Sequence, residues 1–239
     1  MRRALLMVAL VALAAAPARA ETTIGLEVLT VNGTHAEQAG SVPLNGIAPL
    51  LELRQRFHSV DVTLEGIPST GGRGYLVTPT GYPHPLTNFS LFNALAHYSL
   101  GPTGRYWVGG GITVINQETS LLSPPLAAAS RVTGGRYEAL AYLPSGRIGT
   151  VELRAAFMPA MHGSVSYQFG SYPVPPGADS EIAEATDLTA EYLWQLRGVA
   201  LGAGVRSINY TAHFVTPATL ADRNTFFGAL LEARFRVAR

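Results

Sequence analysis

The stretch Leu51-Glu52-Leu53-Arg54-Gln55-Arg56-Phe57-His58-Ser59-Val60-Asp61-Val62-Thr63-Leu64-Glu65 decides the fold. On both sides of His58-Ser59 the residues alternate with period two. Leu51, Leu53, Phe57, Val60, Val62 and Leu64 fall on one face, and Glu52, Arg54, Arg56, Asp61, Thr63 and Glu65 on the other. Such alternation marks a β-strand whose two faces meet different surroundings. A two-residue link makes a tight hairpin, so Phe57 pairs with Val60 and Arg56 stands opposite Asp61. The same register sets Glu52 against Glu65, a like-charge pair that needs Arg54 on its diagonal.

Three further short links occur at Gly101-Pro102-Thr103-Gly104, Pro144-Ser145-Gly146 and Arg197-Gly198. Around the last, Leu196 pairs with Val199, Trp194 with Leu201 and Tyr192 with Ala203 on an apolar face, while Glu191 and Arg206 share the other. Around Pro144-Ser145-Gly146, Tyr137, Ala139, Ala141, Val151, Leu153 and Phe157 lie opposite Arg136, Glu138, Glu152 and Arg154. The final segment places Phe227, Ala229, Leu231, Ala233, Phe235 and Val237 on one face, with Glu232, Arg234 and Arg236 on the other.

Between these pairs run long polar stretches, 32–46, 68–85, 120–130, 171–180 and 216–222, rich in Gly, Pro, Ser and Thr. Ten strands are predicted, at about 22–32, 48–57, 60–67, 88–100, 105–117, 130–143, 147–169, 184–196, 199–213 and 225–237. Short links alternating with long ones, an even strand count and both ends on the short-turn side define an all-β, antiparallel, up-and-down transmembrane barrel. The short turns would then be periplasmic and the long loops extracellular. The seventh strand is too long for one crossing, and Pro159 near its middle predicts a bulge or bend.

Alternation alone does not say which face is inside, and a soluble barrel with its apolar face inward, holding a lipid-like ligand, is the alternative. Aromatic placement favours the membrane reading. Phe57, Tyr98, Trp107, Tyr142 and Trp194 each lie close to a short turn, as an interfacial girdle requires. The polar faces then supply an interior set of Glu52, Arg54, Arg56, Asp61, Glu65, Arg136, Glu138, Glu152, Arg154, Glu191, Arg206, Glu232, Arg234 and Arg236. In a small barrel these would interlock as a hydrogen-bonded plug; packed more sparsely, they would line a narrow pore.

The first twenty residues form a separate unit: Arg2 and Arg3, an apolar run to Ala16, then Ala18-Arg19-Ala20. This is the pattern of a cleaved export signal, leaving residues 21–239 as one barrel domain. Removing Arg2, Arg3 and Arg19 takes the formal charge of +1 down by three, to −2, which gives no basic patch for nucleic acid. Beyond residue 21 no apolar run approaches the roughly 20 residues of a spanning helix. There is no cysteine, so disulfides and thiolate metal sites are excluded. All seventeen basic residues are arginine, which reads mainly as genomic composition bias.

Chemistry-bearing constellations are sparse. His162 and His213, on the outer parts of the seventh and ninth strands, are the candidates for a hydrolase or acyltransferase site at the rim, though no Asp-His partner or close carboxylate pair accompanies them. No pair of ligands has metal-site spacing, and no cofactor is expected. Gly109-Gly110-Gly111 lacks the Lys-Ser/Thr and helix start of a phosphate loop and reads as small residues making room within a strand. Tyr75, Tyr82, His84 and Tyr172 are possible loop contacts for a ligand or another surface.

From residue 21 to 239 the chain resembles, in architecture and not in motif, the small bacterial outer-membrane β-barrels. That resemblance implies a monomer surrounded by outer-membrane lipid and inserted by the barrel assembly machinery. In the class, the last strand usually ends on an aromatic residue; here it ends Phe235-Arg236-Val237-Ala238-Arg239. Strand number and loop placement are also similar to those of small outer-membrane proteases and lipid A-modifying enzymes.

Overall fold

The computed structural model describes residues 21–37, 40–67, 76–77, 86–122, 125–169, 172–174, 180–215 and 221–238. The export signal expected over 1–20 lies outside them. Ten long strands follow one another: β1 Glu21–Glu37, β2 Gly40–Phe57, β3 Val60–Gly66, β4 Leu86–Ser99, β5 Tyr106–Leu122, β6 Pro125–Ser145, β7 Gly149–Phe169, β8 Ser180–Gln195, β9 Val199–Val215 and β10 Ala221–Ala238. Each pairs antiparallel with its neighbours in sequence, and β1 pairs with both β2 and β10, which closes the barrel. No helix occurs among the described residues.

The hairpins at His58-Ser59 and Arg197-Gly198 have the expected registers: Phe57 faces Val60, Arg56 faces Asp61, and Trp194 faces Leu201. The link expected at Pro144-Ser145-Gly146 is displaced: Pro144 and Ser145 continue the ladder, Ser145 pairs with Gly149, and the turn is 146–148. At the two-residue turn after β2, His58 takes φ 50°, a left-handed conformation that side chains rarely adopt. Glycine meets the same demand at Gly198, with φ 80°.

The opposite end differs from expectation. The segments 32–46 and 120–130, read as loops from their composition, continue the ladders. Pairing runs from Asn32 with Asn45 up to Glu37 with Gly40, and from Thr119 with Ala128 up to Leu122 with Pro125. Antiparallel ladders are held by main-chain bonds, so small and polar side chains do not end them. Two short strands add to this rim: Leu76–Val77 pairs with Gly46 and Asn45, and Tyr172–Val174 pairs with Phe169 to Tyr167.

Pro159 lies at a break in register. Ala183 faces Met161 while Ala185 faces Met158, so Pro159 and Ala160 together oppose a single residue, Glu184. The extra residue shifts the pleat by one and brings both Met158 and Met161 into the interior, where each is fully buried.

Outward positions carry the large apolar side chains. Leu26, Leu51, Val62, Val108, Tyr137, Phe157, Leu188, Leu201 and Leu231 are exposed on nine different strands. A contiguous apolar belt of this kind is far larger than any patch a soluble monomer displays. On β10 it runs from Phe227 to Val237, which matches the roughly 9–11 residues of a membrane-crossing β-strand. The lipid-carrier alternative, which requires the apolar face inside, is therefore corrected for this belt. Leu231, 62 % exposed, sits near its middle. L231R is expected to destabilise the barrel in lipid vesicles by about 2–4 kcal/mol, read from denaturant unfolding; a change under about 0.5 kcal/mol would take Leu231 off the lipid.

Candidate functional site

The inward positions near the short turns are ionic. Glu27, Glu52, Asp61, Glu65, Glu138, Glu152, Asp187, Glu191 and Glu232 are buried there together with Arg54, Arg136, Arg154, Arg206 and Arg234. The arginines bind across the lumen. Arg154 on β7 donates to Glu65 on β3 at 2.8 Å, to Glu52 on β2 at 3.1 Å and to its strand neighbour Glu152 at 3.2 Å. Arg206 on β9 grips Asp187 on β8 with two bonds of 3.0 and 2.7 Å and reaches Glu65 at 2.6 Å. Arg136 bridges Glu138 at 2.8 Å and Asp187 at 3.0 Å, and Arg54 donates to Glu52 and to the Tyr142 hydroxyl.

Arg234 completes the layer. It donates to Glu232 at 2.6 Å, to Glu152 and to Glu191 at 3.3 Å. Room for this cluster comes from inward glycines: a Cβ on Gly202 would collide with Glu191 Oε1, and one on Gly25 would lie 2.7 Å from Glu232 Oε1. Gly109 does the same for His97, whose Nε2 lies 3.2 Å from Glu138 Oε1.

Of the fourteen interior residues named from the sequence, twelve are buried in this layer. Arg56 and Arg236 also point inward but sit at the turn rim with side chains 33 % and 38 % exposed. Glu27, His97 and Asp187 belong to the layer and were missed. Their signal was present, since Glu27 alternates with Leu26 and Val28, and Asp187 lies four residues before Glu191 on the same face of a strand.

Two girdle residues need correction. Trp107 is 2 % exposed and faces inward, its Nε1 donating to the Gly104 carbonyl at 2.9 Å; Tyr142 faces inward and accepts from Arg54. Both shield Arg56, whose guanidinium lies 4.8 Å from the Trp107 ring centre and 5.4 Å from that of Tyr142. The pleat requires this: Trp107 shares parity with Thr113, and Tyr142 with Glu138. Tyr98 and Trp194 are exposed on the outer surface, and Phe57 is half-buried.

Above the ionic layer the interior is apolar. Leu29, Leu50, Phe89, Leu91, Ile115, Met158, Met161, Tyr210, Phe226 and Leu230 form one buried cluster, with the Phe89 and Phe226 rings 4.7 Å apart between β4 and β10. Beside this cluster, Asn224 on β10 donates to Gln117 on β5, the register partner of Phe89, at 2.9 Å. Both halves of the lumen are thus crossed by side chains.

His162 and His213 are exposed on the outer surface, where both flank Ile182 on β8. The structure brings neither to a carboxylate among the described residues. Tyr75, Tyr82 and His84 lie outside those residues. Within them, no group of three or more His, Cys, Asp or Glu side chains is arranged to hold a metal ion.

No family model and no curated protein sequence matches the chain. Solved structures do. The outer membrane protease OmpT from Escherichia coli superimposes with a TM-score of 0.60 at 9 % identity, covering 91 % of this chain and 97 % of that one. The β-domain of the Bordetella autotransporter BrkA (TM-score 0.41, 11 % identity, 90 % and 99 % covered) and Neisserial surface protein A (0.39, 9 %, 90 % and 97 %) are also similar. The chain has the fold of the bacterial outer-membrane β-barrels.

Removing one partner from a buried ionic network strands the others, at a cost of about 3–5 kcal/mol. R154M is expected to destabilise the folded barrel by this amount in urea titration, and G202V to lower its melting temperature by displacing Glu191. Wild-type stability in R154M would show that the layer is not interlocked.

Proposed function

We propose that the protein is an outer-membrane barrel closed to diffusion, a scaffold that presents its loop-side rim to ligands or other surfaces. The observation that carries this reading is the filling of both halves of the lumen, by the arginine–carboxylate layer and by the apolar cluster with the adjoining Asn224–Gln117 bridge. Ionic contacts such as Arg154 to Glu65 span the lumen between β7 and β3, and side chains bonded across it obstruct hydrated ions. In this reading the short turns face the periplasm, the leader 1–20 is removed after export, and outer-membrane lipid surrounds the apolar belt. Strands β6 and β7, 21 residues each, exceed one bilayer crossing and carry the rim outward, which supports a role for that end in contacts.

Purified protein in planar bilayers is expected to give no steady conductance, and to fractionate with the outer membrane as a heat-modifiable band. Reproducible unitary currents from the wild type would replace the closed scaffold with a narrow pore.

A further inference from the structure

The ionic layer does not reach the turn-side opening of the barrel. Below it lies a cavity of about 480 Å³, within the range of small-molecule sites, into which Arg54, Arg56, Arg234 and Arg236 all face against a single lining carboxylate, Glu21. The acids that Arg54 and Arg234 bind, Glu52, Glu152, Glu191 and Glu232, do not line the cavity; the two arginines stand between them and the opening.

The two rim arginines are differently committed. Arg56 donates through Nε to Asp61 at 3.3 Å and Arg236 through Nε to Glu21 at 2.7 Å, leaving the terminal nitrogens of both without an acceptor among the described residues. Arg56 is further oriented by Trp107 and Tyr142. A guanidinium fixed at Nε presents its other donors as a planar fork suited to phosphate or carboxylate. Arg56 pairs with Glu21, and Arg236 with Thr23, so the two flank β1 from opposite sides. Their strands are therefore two sheet spacings apart, roughly 10 Å. Two long side chains rising from backbones so spaced into one cavity offer two forks to one ligand, which suits linked anionic groups better than a single ion. Leu193 and Val199 in the wall exclude water from one side, which strengthens charge-assisted bonds there.

We propose that this mouth is a binding site for a compact multivalent anion carrying phosphate groups, with Arg56 and Arg236 as the gripping residues and Arg54 and Arg234 as its floor.

Inorganic pyrophosphate titrated calorimetrically into the full-length barrel is expected to bind saturably at one site, more weakly as salt is raised. R56Q/R236Q is expected to weaken binding at least about tenfold while keeping the heat-modifiable mobility of the folded barrel, since each lost fork removes charge-assisted bonds. If that pair fails to fold, R236Q alone, at an exposed side chain, is expected to weaken it about threefold or more. R105Q/R147Q, which removes two turn arginines that do not line the cavity, is expected to leave binding unchanged. At salt high enough to screen the charge of the disc surface, equal affinity in neutral and phosphatidylglycerol nanodiscs identifies a water-borne anion, and weaker binding in the anionic discs identifies a lipid headgroup; both uphold the site. Absence of saturable binding, wild-type affinity in R56Q/R236Q, or an equal loss in R105Q/R147Q would overturn it.

Discussion

A strand in a closed barrel cannot choose where its alternate side chains go: every second one enters the lumen, which in a small barrel is narrow enough for side chains to fill. Once the outer face is apolar, the charges on the other face must find partners across the lumen or remain buried and unpaired. In this protein nine carboxylates meet five buried arginines, so each arginine has to serve more than one acid. Arg154 binds Glu52, Glu65 and Glu152, and Arg234 binds Glu152, Glu191 and Glu232. Five donors on a rigid planar fork can do this; three donors on a lysine ammonium cannot cover such spread acceptors. The exclusive use of arginine, which the sequence read as compositional bias, thus has a local structural reason at these positions.

The lumen is divided by height. The ionic layer occupies the turn half and the apolar cluster the loop half, and the bulge at Pro159 stands at the level of the apolar cluster. By shifting the pleat one residue it brings Met161 inside beside Met158 and turns His162 out. A histidine that strict alternation from Glu152 and Arg154 would send into the lumen is thereby placed on the outer surface, next to Ile182 and without an ion pair among the described residues.

Much of this was legible near the short turns, where loop length fixes register and charges on one face contrast with leucine, valine and phenylalanine on the other. The pairs Arg56 with Asp61 and Glu191 near Arg206 follow from that arithmetic alone. Farther from the turns the signal fades for physical reasons. In the loop half most inward residues are apolar as well, so Leu29, Phe89 and Phe226 carry no polar contrast with the belt and show their side only through parity with Glu27, His97 and Glu232 nearer the turns. The ladder extensions at 32–46 and 120–130 are made by backbone bonds that Gly and Ser supply like any residue, and they accommodate Pro43 and Pro125, each without an N–H to donate, opposite Thr34 and Leu122. Trp107 and Tyr142 were placed by proximity to a turn, when parity with Thr113 and Glu138 would have turned them inward.

The central claim is that charges on strands far apart in the barrel hold each other across the lumen. A double-mutant cycle on Glu65 of β3 and Arg154 of β7, using E65Q and R154M in a detergent-folded protein, tests it most directly. The account predicts a coupling free energy above about 1.5 kcal/mol, because each single change leaves the other charge buried without its partner. Additive effects of the two substitutions, within about 0.3–0.5 kcal/mol, would contradict it.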